Sequence, residues 1–243
     1  MARHELVLLP GLLCDEAAWA GPRAALASRA DTFVPEYKNQ DTIGGMARKV
    51  LDAVPYRTFS LAGHSMGGRV ALEVARLAPE RVQRLALLDT GYQPIAGGNA
   101  GDIERNKRLA LLATAQERGM RAMGTVWAAG MVHSQQLETP LFEEILAMIA
   151  RFTPGQFSGQ INALLARPDA TPVLQALACP TVLVCGRQDA WSPLARHEAM
   201  LQLLPAHVGS LRVVEDSGHM TVMEQPQAVA GILAQWLESA PHA

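Results

Sequence analysis

The chain predicts an α/β fold: a mostly parallel sheet of about six strands, flanked by helices and interrupted by an inserted all-helical cap. Three observations predict it. Short apolar runs alternate with helical patterns over residues 1–90. The rhythm stops over residues 91–172, where only helical periodicity remains. It returns over residues 173–243. Strands of a parallel sheet are buried on both faces, so they read as continuous apolar runs separated by crossover helices. The expected organisation is one α/β core, residues 1–90 and 173–243, carrying a cap at 91–172.

Each element follows from its residues. Residues 6–9, Leu-Val-Leu-Leu, form a first strand running into Pro10-Gly11. Residues 16–30 are Ala-rich, with Trp19 and Leu26 at helical spacing. Residues 32–35 are a weak strand. Asp41 or Thr42 caps a helix to about Ala53, stopped by Pro55. A strand at 58–62, a glycine-rich turn at 63–68, a helix at 69–78 ended by Pro79 and a strand at 84–88 follow. Residues 91–101 read as an irregular Gly-rich linker. About four helices fill 103–167, broken at Gly119, at Thr139-Pro140 and at Pro154-Gly155. Strands at 181–185 and 211–215 then alternate with helices at 193–204 and 225–237. A helical block without intervening strands belongs outside the sheet, as a lid over a site.

Composition removes whole classes of function. The chain has 243 residues, 49% hydrophobic and 18% charged, enough apolar surface for a sizeable core. A net charge of −2 and 5% aromatics do not build a nucleic-acid face. The N-terminal apolar run is broken by Pro10-Gly11 and lacks a cleavage site, and no other run nears the ~20 residues of a membrane helix. Cys14, Cys179 and Cys185 are too few and too unevenly spaced for a disulfide framework or zinc site. Those counts fit small apolar side chains in a reduced, cytoplasmic protein, with no metal and no cofactor.

Gly63-His64-Ser65-Met66-Gly67-Gly68 matches G-x-S-x-G. A strand precedes it and a helix follows, the context in which the serine sits on a sharp turn with its hydroxyl projecting from the sheet edge. Glycine on either side removes Cβ atoms that would block that turn. The helix N-terminus directs backbone N–H groups to where an oxyanion would develop, which makes Met66 N–H one candidate donor. Leu12 N–H, in the loop after the first strand, is the second.

A serine needs a base, and the base an orienting carboxylate. Among the histidines, His219 follows a strand within Asp216-Ser217-Gly218-His219, where parallel sheets place their sites. His64 adjoins Ser65 but should point away from it. His197 reads as a solvated helix residue and His133 belongs to the helical block. For the acid, Asp189 occupies the equivalent loop, Gly186-Arg187-Gln188-Asp189. Asp89, ending the strand after the nucleophile, is its rival, and Asp216 a weaker one. Arg187 and Glu215 read as solvated charges.

Together with Leu8-Leu9-Pro10-Gly11, these motifs resemble the α/β-hydrolase superfamily over nearly the whole chain. The resemblance implies a triad of Ser65, Asp189 and His219, an oxyanion hole from Leu12 and Met66, and a helical cap. Two departures stand out: Pro10 replaces the usual histidine of the first loop, and the N-terminal antiparallel hairpin is missing. The activity implied is that of a serine hydrolase cleaving a small to medium carboxylic ester, thioester or lactone through an acyl-enzyme on Ser65. Leu13, Trp127 and Trp191 are the expected substrate contacts. Charges in the helical block balance, so a modest, uncharged acyl group is expected rather than a polyanion. The expected partner is that small-molecule acyl substrate, with neither nucleic acid nor membrane; a homodimer stays open. Two alternatives remain. One is a triad-dependent lyase resembling the menaquinone-pathway enzyme, which arginines facing the pocket would favour. The other is a non-catalytic small-molecule receptor on the same fold.

Overall fold

A computed structural model describes residues 3–239. Six strands form one sheet: β1 (His4–Leu9), β2 (Ala30–Phe33), β3 (Phe59–His64), β4 (Val82–Leu88), β5 (Thr181–Gly186) and β6 (Gly209–Val214). Every neighbouring pair is parallel, and the order is β2-β1-β3-β4-β5-β6. All six residues of β3 and of β5 are buried, as the centre of a two-face-covered sheet requires. Each large apolar side chain so removed from water contributes about 1.5–3 kcal/mol.

The helices are α1 (Ala20–Leu26), α2 (Ile43–Ala53), α3 (Met66–Leu77), α4 (Gly98–Arg118), α5 (Met120–Ala128), α6 (Pro140–Ala150), α7 (Pro154–Leu165), α8 (Thr171–Ala176), α9 (Leu194–Leu203), α10 (Thr221–Glu224) and α11 (Pro226–Glu238). Thr42 caps α2 by accepting from Gly45 N–H. The breaks expected between cap helices are present: Gly119, at φ +86°, ends α4; Pro140 opens α6; Thr153 and Gln156 form a capping box on α7. No helix among the described residues is long and apolar enough to cross a membrane.

Three expectations need correction. The helix foreseen over residues 16–30 is a 3-10 turn, Glu16–Trp19, followed by the short α1. Pro22 lacks an N–H and fits only a first helical turn, so the α-helix cannot extend far before it. The second strand begins at Ala30, two residues early, because its pairing with His4 fixes the register. Helix α4 opens inside the stretch foreseen as irregular, with Gly98 and Gly101 in its first turns.

The strand order creates the crevice that matters. From β1 the chain steps outward to β2, then returns to place β3 on the other side of β1. Connections from β1 and β3 therefore leave in opposite directions, opening a gap at their carboxyl ends. The loop after β1 and the turn after β3 both lie there. Helices α4, α5, α6 and α7 pack on one another. They tie to the rest through Arg151 and Asp15, bonded in bidentate fashion at 2.7 and 2.9 Å, and through Leu13 N–H to Gln160 Oε1 at 2.9 Å.

Candidate active site

Ser65 stands between β3 and α3 with φ +55° and ψ −117°, a backbone conformation L-residues rarely adopt. Strain of this kind costs about 1–3 kcal/mol and persists only where the surroundings enforce it. Here they do. Ser65 N–H donates to Leu88 O at 2.8 Å, and Ser65 O accepts from Thr90 Oγ1 at 2.6 Å. The motif glycines are needed for close approach: a Cβ on Gly63 would lie 2.3 Å from Gly67 O, and one on Gly67 2.3 Å from Leu9 O. Helix α3 thus begins one residue after Ser65, three earlier than its apolar pattern suggests.

His219 Nε2 lies 2.8 Å from Ser65 Oγ, and His219 Nδ1 lies 2.8 Å from Asp189 Oδ2. With Nδ1–H donated to the carboxylate, Nε2 is free to accept the serine proton. Asp189 Oδ1 accepts from Trp191 N–H at 2.8 Å and Ser192 N–H at 2.9 Å, which fixes the carboxylate plane. Burial favours the neutral acid, but the His219 charge, the His219 hydrogen bond and these N–H donors outweigh it and hold Asp189 below its usual range. Burial alone would lower His219; the Asp189 carboxylate overrides it and raises that pKa.

The histidine loop is clamped from two sides. Glu224 accepts from Gly218 N–H at 3.0 Å and Met220 N–H at 3.1 Å, flanking His219. His219 N–H itself donates to Met131 O, in the helical block, at 2.6 Å. His64 Nε2–H donates to the backbone, His219 O, at 2.7 Å. Burial pushes His64 down to about 3, so the ring is neutral. Neither His64 nor Glu224 was foreseen in this supporting role, because each acts through contacts across the chain.

Asp89, the rival acid, does not reach His219. It is fully buried, accepts from Gly186 N–H at 2.9 Å, and is bonded to Thr221 Oγ1. Burial, then the nearby Asp189 charge, raise its pKa. Asp216 is exposed on a left-handed turn. Ligand atoms of Asp89, Cys185 and Asp189 lie within 4.8 Å of one another. The two carboxylates are already engaged by His219, Thr221 and backbone N–H groups, a donor set that suits a hydrogen-bonded core better than a cation. Arg187 and Glu215 pair with each other in solvent, as expected.

Ser65 and His219 open onto a cavity of about 620 Å³ whose lining includes Leu12, Met66, Trp127 and Trp191. Trp191 packs 5.2 Å from both His219 and Trp127 between ring centroids. Among the described residues, Leu12 N–H and Met66 N–H meet no protein acceptor. Leu13 is a correction. At φ +56° its side chain is buried, its N–H is given to Gln160, and it is not among the cavity's lining residues.

His197 is a second correction: it is fully buried rather than solvated, and its Nε2 accepts from Thr90 N–H at 3.2 Å. Burial lowers it to about 4. The third concerns charge. Arg69, Lys107, Arg108, Arg167 and Arg196 line the cavity, against Glu104 as the lining carboxylate. The acidic residues that balance the helical block in sequence, such as Glu117, Glu138 and Glu144, face elsewhere. Arg69, whose place on α3 also suits a surface residue, lines the cavity. It follows Ser65 by four positions on a helix that starts at the turn, and i,i+4 residues share a face.

A strained serine in reach of a His–Asp pair at the carboxyl edge of a parallel sheet is the arrangement of triad hydrolases. Residues 6–232 match the alpha/beta hydrolase family, and the chain belongs to it. It is 25% identical over 249 residues to a 2-succinyl-6-hydroxy-2,4-cyclohexadiene-1-carboxylate synthase of Klebsiella pneumoniae, covering 96% of this chain and 94% of that one. It is 23% identical over 231 residues to a 2-hydroxy-6-oxononadienedioate/2-hydroxy-6-oxononatrienedioate hydrolase of Escherichia coli, covering 87% and 73%. Among solved structures, a thermophilic esterase from Thermogutta terrifontis with malate bound superposes with TM-score 0.84 at 25% identity, covering 96% and 89%. An enol-lactonase from Burkholderia xenovorans superposes at 0.83 and 19%, covering 98% and 93%, a likeness of fold.

Proposed function

We propose that this enzyme is a serine hydrolase of carboxylic esters, thioesters or lactones, acting through an acyl-enzyme on Ser65. The observation that carries the reading is the continuous chain Ser65 Oγ, His219 Nε2, His219 Nδ1, Asp189 Oδ2, with both links at 2.8 Å. His219 takes the serine proton as Oγ attacks the acyl carbonyl. Leu12 and Met66 N–H groups receive the oxyanion, and the imidazolium returns its proton to the leaving alkoxide. A water activated by the same ring then releases the acid. The oxyanion donors matter energetically: losing one typically raises a barrier by about 2.7–4 kcal/mol.

A fluorophosphonate probe should label Ser65 stoichiometrically, located by peptide mass spectrometry, and nitrophenyl esters should show a burst equal to the enzyme concentration. No labelling would instead favour a receptor. The pH dependence has a definite sign. His219 works as the neutral base, and its pKa is raised above the ordinary 6.5. Hence kcat/KM should fall as pH drops through a point above 6.5. An acid limb below the ordinary 6.5 would contradict the Asp189 pairing.

A second reading is elimination, with His219 abstracting a substrate proton. It is favoured by the cation-lined cavity and by the similarity to the Klebsiella synthase. An elimination on this chain would proceed without an acyl-serine, so the burst separates the two readings.

A further inference from the structure

The cavity over Ser65 holds more positive charge than its own carboxylate can answer. Glu104 is saturated: it takes two bonds from Arg167, at 2.7 and 2.8 Å, and another from Arg108 Nε at 3.0 Å. Arg69 and Arg196 have no carboxylate partner among the described residues. Arg69 Nη1 donates to Gln93 O at 2.8 Å, and Arg196 Nη1 donates to Trp191 O at 2.9 Å and Ser192 Oγ at 3.4 Å. These are neutral acceptors, and each guanidinium carries five N–H donors. The two side chains meet over Gly91, where a Cβ would lie 2.9 Å from Arg69 Nη2 and 3.0 Å from Arg196 Cδ.

Two adjacent guanidinium groups repel, and burial sharpens the repulsion. The effect is visible at Arg69: burial, then the charges of Arg167 and Arg196, push its pKa down to about 9. Fold stability does not call for this arrangement, since Glu104 already answers Arg167 and Arg108. An external anion would relieve it, and a planar carboxylate matches the guanidinium fork. Arg69 lies on α3 four residues beyond Ser65, about 6 Å along the helix axis, so such an anion would belong to the molecule whose carbonyl reacts.

We infer that the substrate carries a free carboxylate besides its reacting carbonyl, held by Arg69 and Arg196. This rests on the hydrolase reading for the reacting end, and it replaces the uncharged acyl group expected from the balanced sequence. Ser65 and His219 would then act on one end of a carbonyl-acid while the two arginines anchor the other.

The test compares p-nitrophenyl hemiglutarate, a monoanion, with neutral p-nitrophenyl pentanoate. The wild-type kcat/KM should favour the hemiester by about tenfold or more, and Arg69→Gln and Arg196→Gln should each lower that ratio by about 10- to 100-fold. Arg212→Gln, on the exposed part of β6, should leave the ratio unchanged. Calorimetry of glutarate, with glutaramide as the neutral control, on Ser65→Ala and on Ser65→Ala carrying Arg69→Gln gives a readout without turnover. Glutarate should bind saturably to the first and at least tenfold more weakly to the second. A wild-type ratio of one or less, or glutarate binding indifferent to Arg69, overturns the inference. If Ser65 is labelled and neutral esters turn over with no such ratio, the carboxylate inference falls alone. If Ser65 resists labelling while Arg69-dependent glutarate binding persists, the hydrolase reading falls and the carboxylate site stands.

Discussion

Replacing Ser65 by alanine is expected to lower kcat on an ester substrate by about 10⁶-fold, the scale found when the nucleophile of a complete triad is removed. The substitution is conservative for structure. Alanine keeps the Cβ, so the turn at φ +55° is no more strained than before, and Ser65 N–H and O keep their bonds to Leu88 and Thr90. What is lost is the hydroxyl bonded to His219 Nε2. Residual rate should come only from the oxyanion donors and from substrate positioning, about 10³–10⁴-fold above water. Steady-state kinetics with a thermal unfolding control checks this. A folded Ser65→Ala enzyme keeping a tenth of wild-type kcat would remove Ser65 from the chemistry.

Asp189→Asn is expected to cost about 10⁴-fold in kcat. The amide can turn its NH₂ toward His219 Nδ1, which drives the ring proton to Nε2 and leaves no lone pair for the serine hydroxyl. Asp89→Asn provides the comparison. Its carboxyl is bonded to Gly186 N–H and Thr221 rather than to His219. An asparagine can still accept from Gly186 and donate to Thr221 Oγ1, so kcat should change by less than about tenfold. Should Asp89→Asn prove the more damaging of the two, the acid has been assigned to the wrong residue. The Asp189 variant should also move the acid limb of the pH profile downward, since the carboxylate that raises His219 is gone while the burial that lowers it remains.

The legible part of the molecule was the part encoded locally. The central strands announced themselves as apolar runs, while the edge strands β2 and β6 carried a weaker signal, and their placement needed only the rule that parallel strands alternate with helices. The turn at Ser65 was readable because its chemistry forces small residues at fixed offsets: Gly63 and Gly67 have no room for a Cβ. Asp189 and His219 were legible because each lies in the loop that follows a strand. Helix breaks in the block between β4 and β5 were written as Gly or Pro in the chain. Boundaries were less secure where pairing decides them, as at Ala30, or where one proline shortens a helix, as at Pro22.

By itself, then, the sequence determined the fold class and the order of elements, and it pointed to Ser65, Asp189 and His219 as the candidate set, since each depends on residues near one another or on a strand's end. Only the tertiary structure decided the character of the cavity. Arg69 comes from α3, Arg108 from α4, Arg167 from the segment after α7 and Arg196 from α9. No spacing along the chain relates them. Counted along the sequence their charges cancel against distant carboxylates, but electrostatic energy depends on separation in space, and folding brings the cations to one cavity while leaving most of the acids in solvent.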